Sequence, residues 1–403
     1  MLFSTNNPKN VIQNQPIRLQ SADVYRGFVM LLMMAEVLQF HTVSEALPES
    51  GFWQFLAFNQ DHVAWIGCSL HDLIQPSFSF LVGVVLPYSI LNRKAKEESF
   101  AKKVSRAAWR SLILIFLGIF LRSQGANMTN FTFEDTLSQI GLGYTFLFIL
   151  GFQSFRTQLL VFVTLILGYW LAFALYPLPP TDFKYEAVNV PKHWEHLESG
   201  FAAHWNKNSN LAWAFDTWLL NLFPRENPFV ANGGGYVTLS FIPTLATMIL
   251  GLFAGKVLIS EKPDNQKLIL FLGGGIAGLL LGLYLNYSGI CPNVKRIWTP
   301  TWVIFSGGWC FLLMAFFYYI IDMKQKQKWG YWLMIIGMNS IAAYVFAHTI
   351  DGYISKSLYT HLDGNYDTIL GVQYRTLIHG GLILLFEWLI LNWMYKKKIF
   401  IRI

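Results

Sequence analysis

Ten stretches of the chain stay apolar for close to the roughly 20 residues a helix needs to cross a hydrocarbon core. They run near 24–40, 70–91, 107–122, 136–152, 157–176, 237–258, 267–288, 301–322, 331–350 and 375–395, with polar, proline-bearing or basic gaps between them. This pattern predicts an all-α, polytopic integral membrane bundle of about ten transmembrane helices, built as a single domain over residues 1–403. The longest gap, at about 177–236, is read as an extracytoplasmic loop. Within it, LAWAFDTWLLNLF (211–223) is too short to span, so it reads as a helix lying on the membrane surface. The first twenty residues are polar, so no cleaved signal peptide is expected and the first apolar run stays as an anchor.

Composition agrees with that pattern. Hydrophobic residues make up 54% of the chain and charged residues 13%, where a soluble domain carries about a quarter charged. The net charge of +7 does not point to nucleic acid, because the basic residues lie in the gaps between apolar runs rather than on one soluble face. With the N-terminus inside, Lys and Arg number 20 in the inner gaps and 9 in the outer ones. Leaving out the long loop, which translocates regardless of charge, lowers the outer count to 5. Both termini are therefore expected in the cytoplasm. Cys68, Cys291 and Cys310 are odd in number and show neither disulfide nor metal spacing.

Candidate chemistry begins at DHVAWIGCSLHDLIQPSFSFLVG (61–83), a polar segment that leads into an apolar one. His62, Trp65, Ser69, Asp72, Pro76, Ser79 and Gly83 are spaced by alternating threes and fours. On a continuous helix they would form one polar, small-residue stripe, with His71 on the other side. Such a stripe packs against other helices or lines a wet path. Ten residues of rise would hold His62 about 15 Å from Asp72. The aspartate then reaches the ring only if the helix breaks between them; otherwise the partner comes from elsewhere in the chain.

Asp23, Arg26, Glu36 and Asp72 are ionisable groups at or within predicted spans, where a charge costs about 2.5–3.5 kcal/mol at the bilayer centre. Asp23 and Arg26 are spaced to pair on a helix. PNVKRIWTPTW (292–302) offers Asn293, Lys295 and Arg296 before a span, either capping it and snorkelling or binding substrate. GMNSIAAYVFAH (337–348) carries Asn339 into another span.

Several of these stretches resemble the heparan-α-glucosaminide N-acetyltransferase family. RLQSADVYRGFVMLLMM (18–34) resembles the family's R-x-x-S-x-D-x-x-R-G opening. His62-x-x-Trp65-x-Gly67 followed by Asp72-Leu73-x-x-Pro76 resembles its H-x-x-W-x-G…D-L-x-x-P motif, and KRIWT (295–299) and GMNSIAAY (337–344) follow in order. Glu36 stands where many relatives have Asn, and the long lumenal N-terminal domain of the animal enzymes is expected to be absent.

The resemblance implies an acyltransferase that moves an acetyl group from cytoplasmic acetyl-CoA to an extracytoplasmic amino sugar or glycan. It carries the active histidine onto His62, as general base or as transient acetyl carrier. Trp65, Asp72, Asn293, Lys295, Trp298 and Asn339 are then candidates for the substrate, and Asp23 and Arg26, with the basic cluster 93–110, for the coenzyme. No metal is implied. A compact member of this kind fits a bacterial inner membrane, with lipid and a possible second copy as partners. The rival reading is a transporter or flippase for a glycan or small solute. An internal repeat would favour it, and the sequence shows none.

Overall fold

The computed structural model describes residues 19–94, 98–362 and 364–401, without the side chains of 92–94. Among them the only β pairing is an isolated antiparallel bridge between Ile66 and Val294. The rest is helix and connection, in the order α1 (Gln20–Met34), α2 (Phe40–Ala46), α3 (Gly51–Gln60), α4 (Ile74–Lys94), α5 (Phe100–Arg122), α6 (Thr136–Gly151), α7 (Phe155–Leu175), α8 (Leu211–Leu219), α9 (Phe241–Ile259), α10 (Asp264–Tyr287), α11 (Pro300–Phe317), α12 (Gln327–Met338), α13 (Ser340–Thr349), α14 (Asp351–His361) and α15 (Arg375–Lys396).

All ten predicted segments are helical, but not all are simple spans. Seven helices are long and apolar enough to cross a membrane among the described residues, and nine if each of two bent pairs is one span. The first bent pair joins α1, through a 3-10 turn, to α2 at an angle of 45°. The second joins α12 to α13 at 67°. The break in the first falls at Gln39, whose φ of +49° no helix continues through. The remaining segment, α6, is an apolar helix of 16 residues. Its N-terminus is fixed by Asp135, which accepts from the backbone amides of Leu137 and Ser138 at 2.9 and 3.0 Å.

Two helix crossings bring backbones into contact. A Cβ on Gly83 would lie 1.9 Å from the Met248 carbonyl oxygen, and one on Gly251 would lie 1.8 Å from that of Phe80. Glycine is therefore required where α4 crosses α9, since lipid supplies no hydrophobic drive and close packing must hold the pair. The α1–α12 crossing repeats the device with Gly27 and Gly337. The basic cluster at 93–110 is described only from Lys102 onward, because Arg93, Lys94 and Lys96 lie outside the described side chains. Within it, Arg106 pairs with Glu98. The segment 211–223 is helical as expected, through α8 and a following 3-10 turn.

Candidate active site

A continuous helix from His62 to Gly83, the condition for the polar stripe, does not form. Helix α3 ends at Gln60, and helical structure resumes only with a 3-10 turn, His71–Leu73, that leads into α4. Two observations explain the break. Gly67 sits at φ +132°, outside the range a helix allows. Ser69 and Asp72 form a capping box: the Ser69 hydroxyl accepts from the Asp72 amide at 3.2 Å, and the Asp72 carboxylate accepts from the Ser69 amide at 3.0 Å. The Ser-x-x-Asp spacing that looked like part of a helical stripe is the signature of a helix beginning.

The break folds residues 62–70 around a buried carboxylate. Asp72 is fully buried. Its Oδ2 accepts from the Val63 amide at 3.3 Å and the Ser69 hydroxyl at 3.1 Å as well as the Ser69 amide. Its Oδ1 lies 2.8 Å from His62 Nδ1 and 3.2 Å from the Lys295 ammonium. The separation of about 15 Å that a continuous helix would impose is thereby corrected to direct contact. His71, expected on the opposite side, is also brought in: its ring centroid lies 4.6 Å from that of His62.

Lys295 arrives on a second loop. The Trp298 amide donates to the Lys295 carbonyl at 2.8 Å, closing a turn that forces Trp298 to φ +49°, a strained value for a bulky side chain. Thr299 then caps α11, with Pro300 at its first position. This loop is stitched to the first by the Ile66–Val294 bridge and by the Gly67 amide donating to the Asn293 carbonyl at 3.1 Å. Lys295 is 4% exposed, so it does not snorkel to headgroups; it is buried against Asp72. Its Nζ also lies 3.0 Å from His62 Nδ1 and 3.4 Å from Nε2. An ammonium thus fills the cationic place beside the aspartate and the imidazole.

The hydrogen-bond network assigns the tautomer. A carboxylate oxygen at 2.8 Å requires a donor, so Nδ1 carries the proton and Nε2 keeps the lone pair. Burial lowers the His62 pKa from its ordinary 6.5; the Asp72 hydrogen bond opposes this, and the Lys295 charge adds to the lowering. A neutral imidazole at pH 7 with Nδ1 anchored on Asp72 and its Nε2 lone pair 3.4 Å from the Lys295 ammonium is equipped to take a proton.

The remaining candidates divide. Trp65 is buried beside this group, donating from its indole to the Trp205 carbonyl at 3.2 Å, with Gly235 of the long loop against its ring. Asn293 donates to the Gly67 carbonyl at 3.4 Å and keeps a buried Oδ1 without a partner. Trp298 is buried too, but its indole turns to Thr247 at 3.1 Å and packs with Leu73 and Trp302. Asn339 lies at the α12–α13 break and holds residues near the chain's end, donating to the Ile399 carbonyl at 3.0 Å and accepting from the Ile401 amide at 3.2 Å. The structure does not bring it to His62. Arg296, read with Asn293 and Lys295 as snorkelling or binding substrate, instead ties loops together by donating to the Gly234 and Val63 carbonyls at 2.9 and 3.2 Å.

Asp23 and Arg26 pair at 3.3 Å and line a cavity of about 590 Å³. Arg110, Ser89 and Tyr344 also line it, and along α4 its wall extends as far as Phe78. Six residues of helical rise, about 9 Å, separate Phe78 from Asp72. None of His62, Asp72 and Lys295 is part of that wall.

Fold and site together define a polytopic helical membrane protein with a buried His–Asp–Lys group where two loops join. No protein-family model matches the chain. It is similar to heparan-alpha-glucosaminide N-acetyltransferase from Mus musculus, 21% identical over 379 aligned residues covering 83% of this chain, and to that from Homo sapiens, 22% identical over 394 and covering 84%. This similarity is to proteins of the family that its motifs resemble. The chain spans about half the length of the curated relatives it matches, 54% of each.

Proposed function

We propose that the protein transfers an acetyl group from acetyl-CoA to the amino group of a sugar or glycan, with His62 as general base. The observation that carries this is the 2.8 Å contact between His62 Nδ1 and Asp72, in a chain similar to N-acetyltransferases. With Nδ1–H given to the carboxylate, Nε2 takes the proton of the acceptor nitrogen as that nitrogen attacks the thioester carbon. The N–C bond forms, the C–S bond breaks, and the coenzyme leaves as a thiolate that takes up a proton. The Lys295 ammonium beside the ring supplies positive charge for the oxygen that becomes negative on the way.

The cavity suits the donor in kind. Arg26 and Arg110 offer charge for phosphates, and its apolar wall along α4 offers a path for a pantetheine arm. The Lys/Arg bias supports an orientation in which the donor is met on the cytoplasmic side and the acceptor on the far side, as in a bacterial inner membrane. The test is His62→Ala in the full chain, assayed for acetyl-CoA-dependent acetylation of glucosamine. We expect a loss of about a thousandfold or more. Folded His62→Ala protein with undiminished activity overturns the proposal.

A further inference from the structure

A second imidazole stands in this site with nothing to hold it. His71 is 7% exposed, its ring centroid lies 4.6 Å from that of His62, and the two planes meet at 59°. Among the described residues neither of its ring nitrogens makes a hydrogen bond. Neither nitrogen is among the buried polar atoms that lack a partner, so both keep access to the cleft, where an acceptor can be met. The groups that face His71 electrostatically are His62, Lys295 and Asp72.

The proposed reaction needs a second proton site. An amino sugar reaches the site as an ammonium at neutral pH and becomes an amide, so its nitrogen sheds two protons. The first must leave to free the lone pair, and the second leaves as the N–C bond forms. When the C–S bond breaks, the coenzyme thiolate takes one proton back and water receives the other. His62 accounts for one of the two. Asp72 is saturated with donors and Lys295 is held as a cation against it, so neither can take the other. Resting on the acetyl-transfer reading, we propose that His71 is the second base: it accepts the first proton from the acceptor ammonium, and His62 accepts the second during attack.

The test is a pH profile of the full-length protein, with glucosamine and acetyl-CoA as probes. His71→Ala and His71→Asn are compared with wild type and with His62→Ala between about pH 6 and 9.5. His71 matters only while the acceptor arrives protonated, so kcat should fall about 30-fold or more near pH 6.5. Near pH 9, where an amine of pKa about 8 arrives neutral, the loss should shrink to about threefold. His71→Asn keeps polar bulk in the pocket and guards against collapse of the Ala variant. A loss equal at every pH, or none, in the folded variant overturns the role of His71 while His62→Ala remains inactive. Activity retained by His62→Ala would instead overturn the acetyl-transfer reading beneath it.

Discussion

His62 and Asp72, ten residues apart in the chain, meet at 2.8 Å because the backbone between them is wound back on itself. One carboxylate gathers an imidazole, an ammonium, two backbone amides and a hydroxyl. It sets the ring's tautomer and balances the buried lysine at once. Chemistry and folding therefore fail together when it is changed, and the two effects can be separated.

Asp72→Asn should lower kcat by about four orders of magnitude, as expected when an anchoring carboxylate is lost and the imidazole can adopt the wrong tautomer. It should also destabilise the protein by about 3–5 kcal/mol, because Lys295 is left as an uncompensated buried charge. Asp72→Asn combined with Lys295→Met should recover much of the stability and none of the activity. Thermal unfolding of the purified single and double variants, beside turnover, checks both statements.

The pH dependence follows from the depressed His62 pKa. Burial comes first among its causes, and the Lys295 charge acts in the same direction. The base is active when neutral, so the acidic limb of kcat/KM should fall below pH 6.5. Lys295→Met removes one lowering influence and should move that limb upward. A limb that stays in place in a folded Lys295→Met protein would show that Lys295 does not tune the base.

Asp216, in α8 of the long loop, is 2% exposed and accepts from the Thr238 amide at 2.8 Å. Burial raises its pKa to about 7, outweighing the hydrogen bond. In the unfolded chain it would titrate near 3.9. Between those values the folded protein holds a proton that the unfolded chain releases, so stability falls as pH rises from about 4 to 7. Asp216→Asn keeps an acceptor for Thr238 and should flatten this slope, read as the difference in melting temperature between about pH 5 and pH 8.

Gly251→Ala places a methyl 1.8 Å from the Phe80 carbonyl oxygen, where backbone rather than a flexible side chain must yield. A cost of about 3 kcal/mol, at the upper end for overpacking, is expected. Gly273→Ala on α10 meets nothing within 4 Å and should be neutral or mildly stabilising. Melting temperatures of the two variants decide whether the α4–α9 crossing is as close as described.

Coenzyme binding at the cavity predicts that acetyl-CoA raises the melting temperature of the purified protein, by an amount worth about 2.7 kcal/mol at a hundredfold excess over Kd. Arg110→Gln should weaken the shift, because Arg110 lines the cavity. A shift unchanged in Arg110→Gln would place the phosphates elsewhere.

Much of this was legible beforehand. That the ten apolar segments are helical follows from apolar length alone, since a backbone in lipid has few alternatives to helix, whereas the bends in two of them do not. The Asp23–Arg26 pair follows from a spacing of three. The gathering of His62, Asp72 and Lys295 was not legible, for two physical reasons. Alternating steps of three and four fit a helix, so the stripe concealed a capping box that starts the helix at its middle. The lysine's partner depends on a bridge between loops more than two hundred residues apart, which no local pattern encodes. Asn339 shows the reverse failure: a polar residue inside an apolar segment marks a bend and a backbone clamp away from His62.

The stitch between the two loops also sets an order of events during synthesis. Lys295 lies 233 residues after His62, so at ribosomal speeds it emerges roughly 10–50 s later. Throughout that interval Asp72 waits without its counter-charge, and an incomplete polypeptide must keep the carboxylate either wetted or neutralised. Nascent chains stalled before residue 295 should therefore be the most vulnerable to membrane quality control.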